Sequence, residues 1–287
     1  MEVTKELIET NWPLTEVVIS IIKKQGDGGH VGIISAKEGK YTYKIPGPWK
    51  TATNLYRDLG GFEFLGEKHF PYITTLLRTQ DNKRFIQKED KLLYLMAFIE
   101  GDHPKMIPTT YTEFGKIVAT LHNVKDFPFE TDYKPTSVIP DLIQKAIDYP
   151  FGAEYIEILK SIRLFEGLSK TLTHSEITHG NTIQTPEGKI IVIDWDELGI
   201  GPAVLDLGVS LINHHVTEDL EINEDNARAY YQSYFSLHEM GEEEKDHIWD
   251  AALYWACAWI MYGDMDKRWG RIKWAIENKQ RITSLYN

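Results

Sequence analysis

A chain of 287 residues is long enough for one large domain or for two lobes, with ample length for a core. Its 42% hydrophobic and 26% charged residues are ordinary for a globular protein, and a formal charge of −12 argues against nucleic acid, whose phosphates need a basic footprint. No opening stretch has the layout of a signal peptide, the apolar run from Ala251 to Gly263 is too short to span a bilayer, and the single cysteine, Cys257, permits no intrachain disulfide; a cytoplasmic home is expected.

Residues 1–12 read as a short helix, with Val3, Leu7 and Ile8 on one face and a break at Pro13. The β-branched run VVISII, within Glu16 to Ile22, is a strand candidate. A glycine-rich turn follows, with Gly26, Gly28 and Gly29, and then strands at Val31 to Ser35 and Tyr41 to Ile45, the last ending near Lys44. Taken alone, such a turn is a hairpin loop and Lys44 a solvated strand-end lysine. Thr51 to Lys68 reads as a helix weakened by Gly60-Gly61. Short strands are expected at Leu76 to Thr79 and Lys83 to Gln87, and the continuous apolar run Leu92 to Ile99 suits a buried strand.

Tyr111, Phe114, Val118, Leu121 and Val124 follow the helical period, making Tyr111 to Val124 the clearest helix. His122 on it is read as a core histidine, because no second ligand-type residue stands at helical spacing. Phe127 to Pro140, with its prolines, is expected to be a loop, and Asp141 to Tyr149 and Ala153 to Leu168 are expected to be helices. From Leu207 onward the chain reads as helical. The aromatics there, Tyr230, Tyr231 and Trp255 among them, suit a core.

The stretch from Leu172 to Gly208 carries the chemistry. His174-Ser175-Glu176 is followed five residues after the acid by Asn181; two apolar runs, Thr182 to Gln184 and Ile190 to Ile193, flank Thr185-Pro186-Glu187-Gly188. Proline second and glycine fourth suit a type I turn, so a tight β-hairpin is expected, with Asp194 at the end of its second strand. An acid, a carboxamide and a second acid are what phosphoryl transfer needs. One carboxylate accepts the proton of the attacking hydroxyl, and hard oxygen ligands hold magnesium against nucleotide phosphates.

With His174, Asn181, Asp194-Trp195 and Asp206-Leu207 in these places, the sequence resembles the aminoglycoside phosphotransferase family of kinase-like enzymes, closest in wording to its spectinomycin phosphotransferase branch. The resemblance implies an α+β, bilobal protein-kinase-like fold. An antiparallel β-sheet small lobe with its hinge would occupy residues 1–99, and a mainly helical large lobe residues 100–287. It implies ATP or GTP as co-substrate and magnesium as cofactor. Glu176 would be the catalytic base, Asn181 and Asp194 the metal ligands, and Lys44 the phosphate anchor. Gly28 and Gly29 would lie in the turn over the phosphates, and Met96, Ala97 and Ile99 at the linker that meets the adenine. Asp206 would brace the catalytic loop. Two positions depart from the pattern. Glu176 stands where the family has Asp, with Ser175 replacing the usual Gly, and Asp58 stands where the family has the Glu that pairs with the strand lysine; Glu63 is its runner-up.

The expected activity is transfer of a γ-phosphate to a hydroxyl of a small, cationic molecule: an aminoglycoside-type or other antibiotic, or an amino alcohol. An acidic protein would speed the encounter with such a cation, although acidity for solubility alone is the preferred account of the charge. Asp196 and Glu197 are candidates to bind a substrate amine or a second magnesium, and solvated loop acids are the other reading of the same residues. A catalytically weak or inactive nucleotide-binding protein is the alternative raised by the changed acids at 58 and 176. A metal-dependent hydrolase using His174, Glu176, His179 and Asp194 ranks last, because the histidine spacing matches no recognised zinc pattern.

Overall fold

The computed structural model describes residues 2–24, 29–129, 135–196 and 198–287, and it divides the chain into two compact units. One holds residues 1–103 and 182–197, the other residues 104–181 and 198–287. The residue 182–197 hairpin therefore belongs to the first unit, although its flanks in sequence belong to the second.

The first unit opens with helix α1 (Lys5–Asn11), started by the Thr4 hydroxyl accepting from the Leu7 N–H at 3.2 Å. Three antiparallel strands follow, β1 (Val18–Lys24), β2 (His30–Ala36) and β3 (Gly39–Ile45). Helix α2 (Ala52–Glu67) is capped by Thr51 and runs unbroken through Gly60 and Gly61, both buried. Packing there outweighs the low helix propensity of glycine. The pair of short strands expected next shrinks to β4 (Leu76–Leu77) and β5 (Ile86–Lys88), and β6 (Lys91–Ala97) is the buried apolar run. The sheet order is β1-β2-β3-β6-β4, with β5 also on β6. Side chains alternate across β3. Tyr43 and Ile45 join Ile8, Trp12, Ile34, Leu93 and Leu95 in one core, and Lys44 is directed to the other face.

In the second unit, helix α3 (Pro108–His122) buries Tyr111, Phe114, Val118 and Leu121 on the periodic face that the sequence marks. Helix α4 (Pro135–Ala146) starts inside the stretch expected to be a loop. Proline suits its first turn, and Pro140 sits inside it, removing one backbone donor. Helix α5 (Gly152–Ser161) and strand β7 (Lys170–Thr173) lead to a 3₁₀ turn at His179–Asn181. The chain then supplies the first unit with the hairpin β8 (Thr182–Gln184) and β9 (Ile190–Val192), paired Gln184 to Ile190. Its turn closes as expected, with the Gly188 N–H donating to the Thr185 carbonyl at 2.8 Å and Gly188 at φ 85°.

Gly199 to Pro202 form strand β10 (Gly199–Pro202), paired antiparallel with β7. The β7 ladder imposes an extended backbone that this glycine-rich segment would not choose alone. Helices α6 (Val204–Asn213), α7 (Glu224–Phe235), α8 (Glu242–Lys245), α9 (His247–Ala258), α10 (Met265–Glu277) and α11 (Lys279–Thr283) complete the second unit. Helix α3 packs on α7 and α6 on α9. At Gly115 the α3 and α7 backbones come so close that a Cβ would lie 2.3 Å from the Tyr230 carbonyl oxygen. No helix among the described residues is long and apolar enough to cross a membrane.

Candidate functional site

In the first unit the chemistry centres on Lys44. The middle of a sheet buries this lysine to 6% exposure, and its ammonium meets Asp194 Oδ1 at 2.7 Å and Asp196 Oδ2 at 2.9 Å. Burial works against the charge of Lys44, but Tyr94, Asp196 and Asp194 outweigh it and hold its pKa well above the usual lysine range. The Asp196 carboxyl is pushed up, first by burial and then by Asp194, against the pull of Lys44. Asp194 has φ 63°, a left-handed backbone uncommon outside glycine. Trp195 holds that turn: its indole N–H donates to the Val192 carbonyl at 3.0 Å, and its ring lies edge-on to Phe62 and Phe70. Lys44, Met96, Asp194 and Asp196 line one small cavity of about 30 Å³.

Asp58 lines the same cavity but engages other cations than Lys44. Its Oδ2 accepts from Lys50 at 2.7 Å and its Oδ1 from Arg57 at 2.8 Å. The pair expected between Asp58 and Lys44 is thus replaced by one between Asp58 and Lys50, because both Asp58 oxygens are taken and Lys44 is drawn to the acids at 194 and 196. Lys50 is as buried as Lys44 and also donates to the Asp196 carbonyl at 2.8 Å, linking α2 to the loop after β9. Nothing in its spacing marked it in the sequence, where it stands as one more lysine before a helix cap. Glu63 is engaged by Arg78 and Arg84, each at 2.7 Å.

The linker residues Met96, Ala97 and Ile99 are half-buried. The Ala97 N–H donates to the Thr75 carbonyl at 2.8 Å, and its own carbonyl accepts from the Thr74 hydroxyl at 3.0 Å. A second lone pair on that carbonyl is what Ala97 has left to offer a ligand. Gly29 is buried just before β2; Gly28 and Glu197 lie outside the described residues.

In the second unit the centre is the loop after β7. Asp206, 3% exposed near the start of α6, accepts from the backbone N–H groups of His174, at 3.1 Å, and Ser175. Its Oδ2 also meets His122 Nε2 at 3.0 Å, and His122 Nδ1 meets the Tyr234 hydroxyl at 2.8 Å. His122 is therefore a buried structural histidine. Ser175 has φ 66°, so it takes a left-handed conformation where the family has glycine. The loop then presents Glu176, half-buried, and the Asn181 amide donates to the Glu176 carbonyl at 3.2 Å through its nitrogen.

Glu176 lines a cavity of about 280 Å³ with Tyr111, Phe114, Asn181, His214 and Tyr230. The histidine-based hydrolase constellation does not form. His174 is buried and His179 exposed, and among the described residues no cluster of three or more His, Cys, Asp or Glu could hold a metal ion.

Behind this cavity, His215 is 1% exposed among Tyr111, Tyr230 and Tyr231, and neither ring nitrogen has a hydrogen-bond partner among the described residues. Burial, and then His214, pushes its pKa down to about 3. A depressed folded-state value contributes stability that is complete above the unfolded pKa of about 6.5 and is lost as pH falls toward the folded value. Unfolding free energy from urea titrations is expected to fall below pH 6.5 with a His215 share of up to about 1.4 kcal/mol per pH unit. His215→Phe should flatten the profile by that share; parallel profiles would refute it.

The sequence profile of the Phosphotransferase enzyme family matches residues 80–242. A 4-hydroxytryptamine kinase from Psilocybe cubensis is 25% identical over 184 residues, 54% of this chain; the chain thus spans only 50% of the length of that relative. A spectinomycin phosphotransferase, solved with ADP and spectinomycin, superposes with a TM-score of 0.67 at 14% identity, over 98% of this chain and 95% of its own. An amicoumacin kinase, solved with AMP-PNP, Ca²⁺ and Ami, gives 0.67 at 14%, over 94% and 91%. At such identities these two structures show the fold, which is kinase-like α+β.

Proposed function

This chain belongs to the phosphotransferase enzyme family, and on that premise we propose that it moves the γ-phosphate of ATP or GTP to a hydroxyl of a small molecule. The observation that carries the proposal is Lys44, a buried ammonium held 2.7 Å from the Asp194 carboxylate. Glu176 takes the proton of the attacking hydroxyl. Lys44 pairs with the nucleotide phosphates, Met96 faces the base, and the backbone at Ala97 and Ile99 meets its edge. Gly28 and Gly29 supply backbone N–H groups to the phosphates.

On this reading magnesium would be held by Asp194 and Asn181, whose carboxylate and amide oxygens are the hard donors it prefers. When bound, magnesium neutralises phosphate charge. Asp196 remains a candidate for a substrate amine or a second cation. The relatives act on or bind acceptors as different as 4-hydroxytryptamine and spectinomycin, so a small amine-bearing acceptor is in keeping with them. A single cysteine, fully buried, is in keeping with a cytoplasmic home.

Either nucleotide with magnesium should raise the melting temperature, and NDP release should depend on an added hydroxyl compound. Absence of any nucleotide-dependent stabilisation would defeat the proposal. A nucleotide-binding protein with little catalysis is the second reading, favoured by the engagement of Asp58 with Lys50; stabilisation without NDP release would select it.

A further inference from the structure

Lys50 is enclosed even more fully than Lys44, its side chain 2% exposed against 8%. An ammonium has three N–H groups, and this one has three partners. Asp58 Oδ2 accepts at 2.7 Å, the Asp196 carbonyl accepts at 2.8 Å, and the Trp49 ring lies 4.5 Å away. With its donors engaged in this way Lys50 has none to offer a phosphate, which sets it apart from the role assigned to Lys44. Nor is it needed to neutralise Asp58, because Arg57 already meets the other oxygen of that carboxylate at 2.8 Å. What Lys50 adds is the bond to the main chain at Asp196.

That bond falls at a consequential place. Asp194, Trp195 and Asp196 form the loop after β9, and its two acids clamp Lys44 at 2.7 and 2.9 Å. The loop turns through φ 63° at Asp194, a conformation that costs energy in a residue other than glycine and persists where the surroundings impose it. Trp195 ties its near end to β9 through the Val192 carbonyl. At its far end, the Asp196 carbonyl has Lys50 as its partner among the described residues, and Asp58 ties Lys50 to α2.

We propose, resting on the phosphotransfer reading, that Lys50 is a positioning residue for the metal–nucleotide complex. It touches neither metal nor phosphate. It fixes the end of the loop that carries Asp194 and Asp196, so that both carboxylates stand ready where Lys44 and a metal ion need them. Releasing that end leaves the carboxylates present but no longer aimed.

The test compares Asp58→Asn, which keeps the Lys50 bond to the Asp196 carbonyl, with the paired variant Lys50→Met/Asp58→Asn, which removes it. The paired variant loses one cation and one carboxylate, so the charge balance of the cluster stays that of the wild type. For each, calorimetry measures the affinity for AMP-PNP with and without magnesium. The tightening that magnesium brings is expected to be about tenfold smaller in the paired variant, the scale on which groups behind metal ligands act. In the unliganded chain, hydrogen exchange over residues 193–196 should also be faster in the paired variant. Equal tightening in the two variants overturns the proposal, whatever their stabilities. Should the paired variant not fold, the unliganded wild type decides. Slow exchange over residues 193–196 supports the tether, and exchange at the rate of an unfolded chain overturns it. Failure of the wild type to bind AMP-PNP removes the phosphotransfer reading and this proposal with it, whereas binding with equal tightening removes the proposal alone.

Discussion

Replacing Glu176 with glutamine is expected to lower kcat by about 10²–10⁴-fold, the range that a positioned general base supplies. Glutamine keeps the size and the hydrogen-bonding reach of the side chain but cannot accept the proton. The backbone of the loop is fixed by groups this change does not touch: the Asp206 bonds to the N–H groups of His174 and Ser175, and the Asn181 amide on the Glu176 carbonyl. Nucleotide affinity should therefore persist, and kcat alone should fall. Glu176→Asp probes the departure from the family. It shortens the side chain by one methylene, about 1.5 Å. A misplacement of ~1 Å costs on the order of a hundredfold, so the aspartate variant should also be slow although it remains a base. Steady-state kinetics check both, and unchanged turnover in the glutamine variant would remove Glu176 from the mechanism.

Asp206→Ala should be the most destabilising change near the site. The carboxylate is 3% exposed and accepts from two backbone N–H groups and the His122 imidazole. Its loss leaves buried donors without an acceptor, each at about 1–3 kcal/mol, and a total of about 3–5 kcal/mol is expected. For a protein of this size that corresponds to a fall in Tm of roughly 10 °C. Calorimetry measures it, and a change under about 2 °C would show that the network is incidental. Turnover should fall as well, because the loop that presents Glu176 loses its anchor.

The parts legible in the sequence were those written as local pattern. β-branching marked β1, with strands expected for β2 and β3 after the glycine-rich turn, and a continuous apolar run marked β6; proline and glycine located the turn between β8 and β9; and the 3.6-residue period located α3. What the sequence hid was set by partners distant in the chain. Gly199 to Pro202 is a strand because β7 pairs with it, not by its own preference. Gly60 and Gly61 stay helical because they are buried. Sequence placed Asp58 on its helix and paired it with Lys44, whereas tertiary geometry gave it Lys50. The period put Tyr111 and Phe114 on one buried face, yet a hollow bounded by those same rings has no signature in a period.

If Lys44 anchors phosphate as proposed, its double clamp makes it selective. Two carboxylates already compensate it, so a lone monoanion such as chloride or acetate offers nothing that Asp194 and Asp196 do not already supply at closer range. Displacing them also strands two negative side chains, one of them largely enclosed. Only a visitor that is itself a polyanion, and that arrives with positive charge for the evicted aspartates, leaves every partner compensated. On the proposed phosphotransfer reading, preference for metal-complexed polyphosphate over small anions would rest on these resting contacts of a single side chain.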